Sequence, residues 1–156
     1  MNPIVIIVIV LVVAMIVGPV TMMQPSQSQR RREKLRRYAR EAGLSVRLLP
    51  PPQLATDTQA PAALPVYSKV VDAHHLSWTL MRARYAHESH LRQWWQFVGA
   101  KPPEPVQRQI ENALDMLPSG VVGLRAGGRQ LDIFWQEQGD EHDLEQLLKC
   151  MACLTA

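Results

Sequence analysis

The spacing of apolar residues changes character along the chain, and each stretch predicts a different element. From Ile4 to Met23 the positions are apolar almost without a break, and no side chain is ionisable. Such a run, about 20 residues long, makes about 30 Å of helix at 1.5 Å per residue, the thickness of a bilayer hydrocarbon core. The β-branched stretch Ile4 to Val13 is a poor helix former in water, so helix is expected there because lipid offers the backbone no other partner. Gly18-Pro19 is expected to kink the span or end its regular part. A cleaved signal peptide would want a positive stretch ahead of the apolar run and a small-x-small cleavage site. Neither Met1-Asn2-Pro3 nor Gly18-Pro19-Val20-Thr21 supplies them.

Residues 24–43 are polar, with a thin apolar stripe of Leu35, Tyr38, Ala39 and Ala42 at helical spacing. Ser26 or Ser28 can cap this helix, and Gly43 is a natural stop. Leu44, Val46 and Leu48 then alternate with Ser45 and Arg47, the period of a short strand. Pro50-Pro51-Pro52 ends it and opens a stretch rich in Pro, Ala, Thr and Gln up to Pro65, expected to be a semi-rigid tether.

Residues 66–156 suffice for one compact core. Val121 to Ala126 and Arg129 to Gln136 flank Gly127-Gly128, which reads as a two-residue hairpin turn. Centring on that turn pairs Leu124 with Leu131 and Val122 with Ile133, all on one face with Trp135. A helix follows, capped by Asp140 and striped by Leu144, Leu147, Leu148, Met151 and Leu154. An earlier helix starts near Pro103–Pro105, buries Val106, Ile110, Ala113, Leu114 and Leu117, and stops before Pro118. Leu76 to Val98 fits a hairpin turning at residues 86–90 or one long helix, and its aromatic content favours the hairpin. Val66 to Val71 can add an edge strand. The expected fold class is α+β: a single N-terminal transmembrane helix (1–23), a basic juxtamembrane helix (24–43), a short strand and Pro-rich linker (44–65), then an antiparallel sheet of two hairpins with two helices on one face (66–156).

Charge sharpens this layout. No Asp, Glu, Lys or Arg precedes Arg30, whereas Arg30, Arg31, Arg32, Lys34, Arg36, Arg37 and Arg40 then face only Glu33 and Glu41. The formal charge of the whole chain is +3, so the basic character belongs to this segment and the rest is slightly acidic. Positive flanks stay on the cytoplasmic side of a span. The expected placement is therefore a single-pass protein of a bacterial inner membrane, N-terminus outside and folded domain in the cytoplasm. The seven basic residues are candidates for contact with anionic headgroups. Nucleic acid is a poor expectation, because the cluster lacks interleaved aromatics and matches no reading-helix motif.

Candidate chemistry is sparse. Cys150 and Cys153 form a CxxC in the last turn of a helix, where the dipole opposes a thiolate. With His87 and His90, or His74 and His75, they could in principle make up a metal-ligand set, but the pairs are far apart for a zinc module. No nucleophile elbow, phosphate-cradling Gly-rich loop or HExxH motif is present. No enzyme activity, small-molecule substrate or cofactor is expected. The aromatic residues carry the recognition signal instead. Trp94 and Trp95 are adjacent, so on a strand they point to opposite faces and cannot share one core. Trp94, Trp95 and Phe134 are thus the candidate anchors for a protein partner.

An uncharged apolar segment followed by Gln24-Pro25-Ser26-Gln27-Ser28-Gln29-Arg30-Arg31 resembles the N-terminal part of the YajC-type accessory subunit of the bacterial Sec translocon. The resemblance covers about a fifth of the chain, and the rest departs from that family, being longer and lacking its compact Gly-rich β segment. It implies an accessory role in a membrane translocation complex and transfers no functional residue. The expected function is a membrane-anchored adaptor or scaffold domain that binds the lipid bilayer and a protein partner, with an anionic-lipid-binding surface protein as a further possibility.

Overall fold

In the computed structural model, which describes residues 2–22, 26–71 and 77–155 (18–22 by backbone alone), Gly128 and Arg129 take consecutive positive φ values of 57° and 66°. That pair makes the turn whose twist matches its flanking strands, β5 (Val121–Gly127) and β6 (Gln130–Trp135). The expected turn at Gly127-Gly128 is therefore one residue early, because Arg129 accepts the left-handed conformation and Gly127 pairs with Gln130. The register shifts by two: Leu124 faces Ile133 and Ala126 faces Leu131, with an irregularity between Val121 and Gly123. A shift of two preserves the faces, so Leu124, Leu131, Ile133 and Trp135 still point to one side, but the irregularity puts Val121 there in place of the expected Val122. It also sets Arg125 opposite Asp132, and the two form an ion pair.

The remaining elements are α1 (Pro3–Met22), α2 (Gln27–Glu41), β1 (Ser45–Leu49), β2 (Leu64–Val70), β3 (Trp78–Arg82), β4 (Trp95–Phe97), α3 (Glu104–Leu114) and α4 (Glu141–Thr155). The strands form a six-stranded sheet in the order β1-β2-β6-β5-β3-β4, with every neighbouring pair antiparallel. Both expected hairpins are present. The segment expected as an edge, β2, lies inside the sheet, and the preceding strand β1 takes the edge position.

The hydrophobic cluster joins one sheet face to three helices. Tyr67, Leu80, Leu124, Leu131, Ile133 and Trp135 pack with Leu35 and Ala39 of α2, Ile110 and Leu114 of α3, and Leu144, Leu147 and Met151 of α4. Two helices were expected there, and α2 is the third. The linker folds back so that β1 and β2 can pair, and Pro51 and Leu54 are buried. The tether reading thus gives way: three prolines limit how the connection can bend, but do not stop its apolar residues from packing.

The chain divides into two compact units, residues 1–33 and 34–156. The first contains α1 and the start of α2, where Ser26 and Gln29 make a reciprocal cap: the Gln29 amide donates to Ser26 Oγ (3.2 Å) and the Ser26 amide to Gln29 Oε1 (2.9 Å). The described side chains of α1 are exposed.

The membrane-spanning expectation is corrected here. Among the described residues no helix is long and apolar enough to cross a membrane. With the span falls the single-pass inner-membrane placement, N-terminus outside and domain in the cytoplasm, because arginines report topology only when they flank a span. Met23, Gln24 and Pro25 lie outside the described residues.

Candidate interaction site

The second half of α2 is attached to the sheet by one buried polar cluster. Leu35 and Ala39 enter the core, which directs Arg36 toward the segment after β6. There Glu137 accepts from Arg36 Nε at 2.6 Å and from Arg36 Nη2 at 2.7 Å, and Tyr67 donates its hydroxyl to the same carboxylate at 2.8 Å. A planar guanidinium meeting both carboxylate oxygens is the strongest ion-pair geometry available to side chains. Glu137 sits at φ 54°, a left-handed conformation that costs a non-glycine residue about 1 kcal/mol. Its side chain is 1% exposed and that of Arg36 32%, so burial strengthens the pair without hiding the helix.

The groups in the cluster shift one another. The hydrogen bond to Glu137 raises Arg36 above the usual guanidinium value, against the opposing effect of burial. Burial, followed by the Glu137 charge, pushes the Tyr67 phenol well above its ordinary value. Both groups therefore hold their protons throughout the physiological range. Nothing in the sequence marked this site: Arg36 and Glu137 are 101 positions apart, and Glu137 resembled any carboxylate near a helix start.

Of the seven expected basic residues, Arg36 is thus half-buried and engaged by Glu137, and Lys34 pairs at the surface with Glu141 at 2.5 Å. Arg37 and Arg40 are exposed on the same part of α2, with the Arg40 Nε bonded to the Arg36 carbonyl oxygen at 3.1 Å. Arg30, Arg31 and Arg32 are exposed in the first unit. Tyr38 is 38% exposed between the arginines of the second unit.

The candidate aromatic anchors separate by burial. Trp94 is 40% exposed and carries the Arg82 guanidinium 5.9 Å from its ring centroid, while Trp95 is 9% exposed. Phe134 is fully buried, with Arg125 5.5 Å from its ring, so it is no anchor in this structure. It lies on the sheet face opposite the helices, opposite Val66 of β2, and that face is lined further along by the folded-back linker: Pro51 and Leu54 share a groove with Met81 and Val122. Ser68 Oγ and Asp132 Oδ1, cross-strand neighbours on the same face, are buried without a hydrogen-bond partner among the described residues.

The metal-ligand candidates are not brought together. His87 Nδ1 lies 2.8 Å from Ser89 Oγ in the β3–β4 connection, the His90 ring lies tilted against it with centroids 5.4 Å apart, and Cys150 is buried against the Ala113 carbonyl. Among the described residues no group of three or more His, Cys, Asp or Glu is placed to hold a metal ion. His74 and His75 lie outside the described residues. The two cysteines are free, Cys150 buried and Cys153 half-buried. Burial, and then Cys153, push the Cys150 thiol from 9.0 up to about 12. A neutral-pH thiol reagent should therefore modify Cys153 first and reach Cys150 only on unfolding, as mass spectrometry of the labelled chain would show. The folded thiol holds its proton more tightly than the unfolded one, so this contribution is intact below pH 9 and lost between pH 9 and about 12, at about 1.4 kcal/mol per pH unit. Cys150→Ala should flatten the stability curve between pH 9 and 10.

An apolar cavity of about 70 Å³ lies between α3, α4 and the sheet, lined by Trp78, Val106, Ile110, Leu131 and Leu154. Ligand sites for organic molecules run to several hundred cubic ångströms. No family model, curated protein or solved structure matches the chain.

Proposed function

We propose that this chain is a non-catalytic protein-interaction domain, an adaptor whose recognition surface is the cationic outer side of α2 and whose partner is an acidic protein. The observation that carries this reading is the Arg36–Glu137–Tyr67 cluster, which fixes the second half of α2 on the sheet and leaves Arg37, Tyr38 and Arg40 exposed. A cationic helix held in place loses less entropy on binding than a free one, and its arginines steer an acidic partner from solution.

The test compares the tagged full-length chain with its Arg37→Glu/Arg40→Glu variant, using crosslinking and quantitative recovery of the bound protein. Recovery should fall about tenfold in the variant, and also for the parent as salt is raised well above 0.15 M, where screening shortens to a few ångströms (about 3 Å at 1 M). Equal recovery by parent and variant, with circular dichroism showing both folded, would rule the surface out.

A further inference from the structure

The two edges of the sheet are protected differently. At β4, Leu91 covers the start of the edge: its amide donates to the Trp95 carbonyl at 2.6 Å and its carbonyl accepts from the Trp95 amide at 2.9 Å. At the opposite edge, β1 hydrogen-bonds to β2 and, among the described residues, to nothing else. Ser45, Arg47 and Leu48 are exposed, Leu48 at 62%. An edge of this kind is a template for one more strand.

Charge decides what that strand can be. No Asp or Glu occurs from Ala42 to Thr56, the only charged residue of β2 is Lys69, and Arg37 and Arg40 stand just upstream on α2. A two-fold antiparallel pairing centred on β1 would set Arg47 against Arg47 of a second copy, a like-charge pair. Alternation along β1 puts Val46 and Leu48 on the face of Tyr67 and the helices, and Arg47 on the other. We propose that the free edge of β1 takes up an extended segment of a partner protein, apolar–acidic–apolar in pattern, as a seventh strand. The carboxylate faces Arg47, and the flanking apolar residues lie beside Val46 and Leu48. This rests on the reading of the chain as a protein-interaction module and names the form in which the acidic partner binds.

The probe is an eight-residue peptide of alternating valine and glutamate with blocked ends, added to the full-length chain. Two controls accompany it: the valine–lysine counterpart, and the glutamate peptide N-methylated at alternate residues. The glutamate peptide should slow hydrogen exchange at residues 45–49 by about tenfold, bind about tenfold more tightly than the lysine peptide, and fail when N-methylated. Arg47→Glu should reverse the charge preference and Arg47→Gln should abolish it. The idea is overturned if binding leaves residues 45–49 unprotected, if the two peptides bind alike, or if N-methylation is harmless. Concentration-dependent protection of β1 without peptide would also overturn it, by giving the edge to a second copy. If these arms fail while recovery of the partner still depends on Arg37 and Arg40, the seventh strand is refuted and the module reading stands.

Discussion

Glu137→Ala should lower the unfolding free energy by about 3 kcal/mol, the lower end of what breaking a buried ion pair costs. The lower end applies because Arg36, with a side chain 32% exposed, can recover water once its partner is gone. Tyr67 is fully buried, and its hydroxyl would lose its acceptor. Urea denaturation of the full-length chain measures the loss, and hydrogen exchange locates it: amides of residues 35–42 should exchange faster while those of β5 and β6 stay protected. Arg36→Met/Tyr67→Phe/Glu137→Met removes the whole cluster and should recover most of the loss, since apolar side chains of similar size leave no buried charge. A single-variant cost below about 1 kcal/mol would mean that the cluster does not hold α2 to the sheet.

Trp135→Ala should cost about 3–5 kcal/mol, the range for removing a large aromatic from a core. Trp135 is fully buried, packs at a tilt of 59° against Tyr67 with ring centroids 5.5 Å apart, and donates its indole N–H to the Ser119 carbonyl at 2.9 Å. Trp135→Phe keeps an aromatic ring but drops the donor, so it should cost less, about 1–2 kcal/mol. Trp94→Ala, at a 40% exposed position, should cost under about 1 kcal/mol. Thermal melts of the three variants give the order, and a Trp94 variant as unstable as the Trp135 variant would contradict the burial described.

The local features were legible because their causes are local. Ser26 caps α2, and Asp140 Oδ1 accepts from the amides of His142 and Asp143 while the Asp140 amide donates to Asp143 Oδ2. Such caps involve residues three apart and need no knowledge of the fold. The β5–β6 hairpin followed from alternation and its glycine turn, whereas aromatic content alone favoured the β3–β4 hairpin over a helix; the faces of Leu124, Leu131, Ile133 and Trp135 survived a wrong register because the slip was even, but the irregularity after Val121 exchanged Val121 for Val122 in the core. The candidate site was less legible. Adjacency of Trp94 and Trp95 implied unequal burial, but not which one would be exposed. Phe134 was expected on an open face, yet it is buried, because burial on that face depends on segments distant in sequence.

By itself the sequence determined the α+β class, the hairpins, the caps and the concentration of positive charge on α2, all of which follow from periodicity and neighbouring residues. Tertiary structure alone decided that β2 lies between β1 and β6, that Arg36 meets Glu137 and Tyr67, and that β1 stands at one edge of the sheet while Leu91 bridges to Trp95 at the other. These outcomes join residues tens of positions apart, and their free energy comes from burial and pairing that exist only once the chain has closed on itself.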